Sequence, residues 1–142
     1  MALRLPDWQA MDDRPSVLVV NDDTTFLQLM EQLLEDEGYR AEALKETKGA
    51  LEYIKRERPS LVVLDIRINN EEAGLLLLDL ITLDPETRSI PVIVASANLR
   101  ALAGREDQLA AKGIYVIAKP FDIDELGALI RTALFRTEGP PD

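Results

Sequence analysis

The sequence predicts an α/β domain in which a five-stranded parallel sheet carries helices on both faces. Three observations lead there. Short apolar runs without internal alternation recur along the chain, as strands buried on both faces require. Segments whose apolar residues repeat at helical spacing follow them. The strand–helix unit then repeats in succession, and each crossover helix returns the chain to the same sheet. At 142 residues the chain is one domain, long enough to bury a core without disulfides or a structural metal.

Residues 1–14 read as an N-terminal tail, mixing Leu3, Leu5 and Trp8 with Asp7, Asp12, Asp13 and prolines. The domain proper is expected over 15–137, and the run Glu138-Gly139-Pro140-Pro141-Asp142 is a C-terminal tail over 138–142. Val17 to Val20 is the first buried strand. A helix follows with Phe26, Leu29, Met30, Leu33 and Leu34 on its inner stripe and Gly38 as its stop. Tyr39 to Ala43 is a short second strand, and Ala50, Leu51 and Ile54 mark a helix that must end near Pro59. Leu61 to Leu64 is the third strand, Leu75 to Leu83 the third helix, and Val92 to Ala95 the fourth strand. Leu99 to Lys112 reads as a more polar fourth helix stopped by Gly113, and Ile114 to Ala118 is the fifth strand. Asp122 and Glu125 are spaced as a capping box before a last helix that turns Leu126, Leu129, Ile130, Ala133 and Leu134 inward.

Composition narrows the chemistry. There is no cysteine and no histidine, so thiolate and imidazole chemistry are excluded, and any metal must be a hard cation held by oxygen. With 26 acidic residues against 16 basic and a net charge of −10, a nucleic-acid partner is disfavoured. No apolar run approaches the roughly 18 residues of a membrane span, and no segment has the pattern of a signal peptide. We expect a cytoplasmic chain with no membrane partner.

In a sheet of this class ligands bind beyond the carboxyl ends of the strands. There the sequence places Asn21-Asp22-Asp23 after strand one, Asp65 ending strand three, Ser96-Ala97 ending strand four, and Lys119-Pro120 after strand five. Each alone reads as a turn residue or helix cap. Together they bring carboxylates, a hydroxyl and an ammonium to one rim. Crowded carboxylates repel unless a cation neutralises them. Magnesium (Mg2+) suits such a rim because it takes one or two carboxylates and keeps several waters.

These residues carry a family resemblance. The segments VLVVNDD, LVVLDIR, IPVIVASA and AKPFD, in this order at these strand ends, resemble a response-regulator receiver domain over roughly residues 15 to 137. The resemblance implies a doubly wound, flavodoxin-like sheet of order 2-1-3-4-5. It also implies phosphoryl transfer onto an aspartate from a phosphohistidine on a sensor histidine kinase or phosphotransfer protein. By position, Asp65 is then the phosphoacceptor, and Asp22 binds Mg2+ directly together with Asp65 and the backbone carbonyl of Arg67. Asn21 reaches the metal weakly through a water. Ser96 is the switch hydroxyl, Lys119 pairs with a phosphoryl oxygen, and Lys119-Pro120 is a cis peptide.

The sequence departs from the family pattern at three places. Asn21 stands where an acidic residue is usual, and Asp22-Asp23 as the acidic pair is the competing alignment. The loop Ile66-Arg67-Ile68-Asn69-Asn70-Glu71-Glu72-Ala73-Gly74 lacks the frequent Met-Pro step and brings its glycine about one residue late. Val116 occupies the place of a switch aromatic, with Tyr115 facing the other way. A haloacid-type phosphatase would need an aspartate at position 67, where Arg67 stands. A flavodoxin's phosphate would be repelled by Asn21-Asp22-Asp23. The rival that remains is a pseudo-receiver, an interaction module that takes no phosphate. Only short tails flank the domain, so we expect a single-domain regulator, a signalling domain and not an enzyme. It would signal to a further protein through the fourth helix, fifth strand and fifth helix, with Arg100, Arg105, Glu106, Asp107 and Gln108 exposed for contact.

Overall fold

The computed structural model of the chain describes residues 13–68, 73–97 and 104–135. The expected tails therefore lie almost wholly outside the described residues, as do Asn69 to Glu72 and the first part of the expected fourth helix. Five strands form one sheet: β1 (Ser16–Val20), β2 (Arg40–Leu44), β3 (Leu61–Asp65), β4 (Val92–Ser96) and β5 (Ile114–Ala118). All neighbours run parallel, in the order β2-β1-β3-β4-β5. This is the expected doubly wound, flavodoxin-like sheet. The helices are α1 (Thr24–Asp36), α2 (Ala50–Glu57), α3 (Ala73–Leu83), α4 (Glu106–Ala111) and α5 (Ile123–Phe135).

The strands alternate their side chains between two cores. Leu18, Val20, Val62 and Leu64 pack with α2, α3 and α4, while Val17, Val19, Leu61 and Val63 pack with α1 and α5. Both faces are thus covered, which is why the strand sequences carry no polar alternation. Each fully buried Val, Leu or Ile contributes roughly 1.5–3 kcal/mol of transfer free energy, so these two layers dominate the stability. No helix among the described residues is long and apolar enough to cross a membrane.

The ends of α1 are chemically defined. The Asp23 carboxylate accepts the N–H groups of Thr25 and Phe26 at 3.0 and 3.2 Å, capping the start. Gly38, at φ 89°, closes the other end, with Gly38 N–H donating to Glu35 O and Tyr39 N–H to Leu34 O. The inner stripe differs from expectation in one place. Leu27, Met30 and Leu34 are buried, whereas Leu29 is 52% exposed. The apolar positions of this helix exceed one face, so its rotation is set by packing on β1 and not by composition.

The fourth helix is a second correction. A continuous helix from Leu99 to Lys112 is ruled out by Gly104, whose φ of 82° is left-handed, and by Arg105, which precedes the observed start at Glu106. On α3 the residues Leu77, Leu78 and Ile81 face the core, and Leu76, Leu80 and Leu83 face outward. At the start of α5, Asp122 Oδ1 accepts the Asp124 N–H at 2.9 Å.

Candidate functional site

A parallel sheet ends all its strands' carboxyl termini on one edge, so residues that follow β1, β3 and β5 converge there without any further device. An open cavity of about 640 Å³ lies at this edge, lined among others by Asn21, Asp22, Asp65 and Lys119. Phe26 of α1 and Phe121, after β5, also line it and meet edge to face with centroids 6.1 Å apart. One wall is therefore apolar and the other charged.

Asp65 is 6% exposed, and its carboxylate accepts bonds from three directions. Lys119 Nζ donates to Oδ2 at 2.7 Å, Asn21 Nδ2 donates to the same oxygen at 3.3 Å, and the Arg67 N–H donates to Oδ1 at 3.1 Å. A buried carboxylate would be costly unpaired; here an ammonium and two N–H donors replace its water. The Lys119 side chain keeps 33% of its surface open to solvent, so the ion pair sits at the boundary of the cavity. The Lys119-Pro120 peptide is cis, and the Lys119 N–H donates to Ser96 O at 2.9 Å.

The three residues after β1 divide their tasks. Asn21 is buried and bonds Asp65, Asp22 lines the cavity, and Asp23 caps α1. The Asp23 carboxylate is engaged at the helix start, and Asp23 also lines the cavity beside Asp22. Ser96 ends β4 next to Ala118 and is buried; Ala95 and Ala97 line the cavity, and Ser96 does not. Arg67 is exposed, and its backbone N–H is engaged with Asp65.

Gly74 is a site residue whose role the sequence did not disclose. Its N–H donates to Ile66 O at 2.9 Å, and a Cβ added there would stand 1.9 Å from the backbone oxygen of Asp65. The start of α3 thus rests directly on the backbone of the residue that carries the central carboxylate. The visible signal is a glycine that follows the strand-end aspartate, arriving about one residue late in the loop.

The donor set suits a hard cation. Asp22 and Asp65 share the cavity, and the chain has neither histidine nor cysteine. Among the described residues no group of three or more acidic side chains gathers as a cage. Two carboxylates on one cavity are oxygen donors of the kind that a hard cation takes together with waters.

On the expected output face, the Arg105 guanidinium pairs with Asp79 of α3 and stays partly exposed. Asp107 and Gln108 are exposed, and Val116 is 38% exposed on β5. Arg100 and the Glu106 side chain lie outside the described residues.

Residues 17–131 match the sequence family described as response regulator receiver domain. The nitrogen assimilation regulatory protein NtrX of Azorhizobium caulinodans is 37% identical over 122 residues, covering 83% of this chain and 26% of that protein. The polar-differentiation response regulator DivK of Brucella anthropi is 30% identical over 120 residues, covering 84% of this chain and 95% of that protein. Several other curated relatives are longer, and the chain spans about a quarter to a half of their length. Among solved structures, the N-terminal domain of a response regulator receiver protein from Methanoculleus marisnigri superposes with a TM-score of 0.62 at 31% identity, covering 85% of this chain and 97% of that one.

Proposed function

Because the chain belongs to the response regulator receiver domains of two-component signalling, we propose that it is a phosphoacceptor that takes a phosphoryl group onto Asp65 and signals through a changed protein-interaction surface. The observation that carries this is a buried carboxylate held by an ammonium and two N–H donors on the wall of an open cavity. The donor is a phosphohistidine on a partner kinase or phosphotransfer protein. A carboxylate is a modest nucleophile, so the reaction depends on alignment and charge neutralisation more than on basicity. An Asp65 oxygen attacks phosphorus in line, the P–N bond breaks, and the partner's imidazole leaves with the electron pair.

Lys119 starts 2.7 Å from the acceptor and follows the negative charge as it spreads over the phosphoryl oxygens. Ser96, which does not line the cavity in this structure, would have to turn its hydroxyl into it to donate to one of them. Asp22, Asp65 and the Arg67 carbonyl would hold magnesium, with Asn21 reaching it through a water. When bound, the ion neutralises the crowded carboxylates and the incoming phosphoryl oxygens. Asn21 Oδ1 accepts one bond, from Asp23 N–H, and keeps a second lone pair for that water. A net charge of −10 favours partners that dock through a basic face, and the setting for such an exchange is the cytoplasm.

The test is treatment of the chain with acetyl phosphate and magnesium, followed by intact-mass analysis. One added phosphate is expected, absent from Asp65→Asn. A label retained in Asp65→Asn would move the acceptor elsewhere. Asn21 and the exposed Val116 favour a second reading, the phosphorylation-independent interaction module. Failure of both acetyl phosphate and beryllofluoride to modify the wild-type cavity would select it.

A further inference from the structure

Asn21 stands at the position where an acid would make the site all-carboxylate, and both ends of its side chain are committed. The residue is 6% exposed, and its backbone N–H extends the β1–β2 ladder onto Leu44 O at 3.0 Å. Its Oδ1 accepts the Asp23 N–H at 2.9 Å. That bond decides which end of the amide is oxygen, so the NH2 end is the one turned to Asp65, with Nδ2 3.3 Å from Oδ2. A carboxylate in the same place would set an anionic oxygen against Oδ2 in a buried setting, and relief would take a proton or a cation beyond the Lys119 ammonium already on Oδ2.

We propose that Asn21 is a positioning residue for the acceptor, holding the Asp65 carboxylate in place before any metal or phosphodonor arrives. Its neutral hydrogen bond does what a cation must do between two carboxylates. Lys119 and Asn21 together engage both lone pairs of Oδ2, and the Arg67 N–H engages one of Oδ1, so the carboxylate cannot turn without breaking bonds to three separate groups. The clamp spans 44 residues of sequence, joining the end of β1 to the end of β3. The metal-free pocket is ordered in consequence, and magnesium, deprived of one formal negative charge, binds weakly. The purpose of the clamp rests on the phosphoacceptor reading; its existence does not.

The experiment compares thermal unfolding of the full chain at neutral pH, in EDTA and in magnesium, for wild type, Asn21→Asp and the double variant Asn21→Asp/Asp65→Asn. In EDTA, Asn21→Asp is expected to lower Tm by about 5 °C. The double variant again sets an amide against a carboxylate and should recover most of that loss. Magnesium should rescue Asn21→Asp and move the double variant, which carries as many pocket carboxylates as wild type, no more than it moves wild type. In parallel, the carboxyl carbon resonance of Asp65 is expected to shift in Asn21→Ser without metal, a readout that also serves if Asn21→Asp does not fold. An unchanged Tm for Asn21→Asp in EDTA, no recovery in the double variant, or an unmoved Asp65 carboxyl signal would overturn the proposal. A clamp found in a chain that neither acetyl phosphate nor beryllofluoride modifies would sink the phosphoacceptor reading and leave this one standing.

Discussion

Replacing Gly74 by alanine opposes two effects of different size. Gly74 is the second residue of α3, where alanine is favoured over glycine by about 1 kcal/mol of helix propensity. Against that, the new Cβ would lie 1.9 Å from Asp65 O and 2.8 Å from both Ile66 Cα and Ile66 O. All three neighbours are backbone, so no side chain can swing away; either the end of β3 or the start of α3 must move by more than 1 Å to reach ordinary contact. Overpacking of a dense interior costs typically about 1–3 kcal/mol, and a clash with main chain belongs at the upper end. The net expectation is a loss of about 2 kcal/mol, or roughly 6 °C in Tm. Urea unfolding of wild type and Gly74→Ala should show the midpoint falling at constant slope. Because the clash falls on Asp65 itself, phosphate uptake from acetyl phosphate should fall as well. An unchanged or higher midpoint would refute the reasoning, since it would mean that the α3 start shifts freely and propensity decides.

Lys119→Met keeps the length of the side chain and removes its charge. The far-ultraviolet circular dichroism should stay native while the rate of phosphate uptake falls roughly tenfold to a hundredfold, the worth of one charge-assisted hydrogen bond; a variant that unfolds would make the lysine's role structural. Tyr53, whose hydroxyl donates to Glu42 at 2.9 Å, is pushed up to about 12 by burial and by that bond, from a usual value of 10.0. A phenol raised in the folded state stabilises the fold fully below pH 10 and loses that contribution as pH rises toward 12. Near-ultraviolet absorbance should show a late tyrosine ionisation that vanishes in Tyr53→Phe, and survival of the late step in that variant would assign it to another tyrosine.

What the sequence disclosed, and what it withheld, follows from the range of each interaction. Buried parallel strands are apolar on both faces, so Val17 to Val20 and Leu61 to Leu64 were legible from composition alone. The convergence of Asn21, Asp22, Asp65 and Lys119 was legible once the strands were, because parallel strands end on one edge. Gly38 announced the end of α1 through its left-handed φ. The rotation of α1 was not legible, since Phe26, Leu27, Leu29, Met30, Leu33 and Leu34 offer two overlapping stripes, and contact with β1 chose the one with Leu27 inside. The start of α4 was missed because apolar spacing runs through Gly104, whose φ of 82° breaks the helix. The bond from Asn21 to Asp65, the pair of Arg105 with Asp79 and the seating of Gly74 on Asp65 each join residues that meet only after the chain folds. No local pattern encodes them.

The bonds around Asp65 also constrain how a modification there could be felt. Its two oxygens are unequal: Oδ1 is tied to Arg67, a near neighbour on the same chain segment, while Oδ2 is tied to residues that follow β1 and β5. A phosphoryl group on Oδ2 takes an oxygen lone pair that Asn21 or Lys119 now uses, so at least one of those two bonds must be released. Asn21 is the less able to follow, being buried and held at its other end by Asp23 N–H. Lys119 is partly exposed and ends in a rotatable ammonium, so it is the group that moves with the new charge. Its backbone is bonded to Ser96 O, which links that movement to the end of β4 as well as β5. A group attached to Oδ1 would displace the Arg67 N–H first and leave Oδ2 a neutral carbonyl to which Asn21 and Lys119 can still donate. If Asp65 is phosphorylated, the oxygen that takes the group decides whether a bond to Asn21 or Lys119 must break at once, and carboxyl-oxygen-resolved NMR of the Asp65 adduct, with Lys119 Nζ shifts as the companion signal, would distinguish the two.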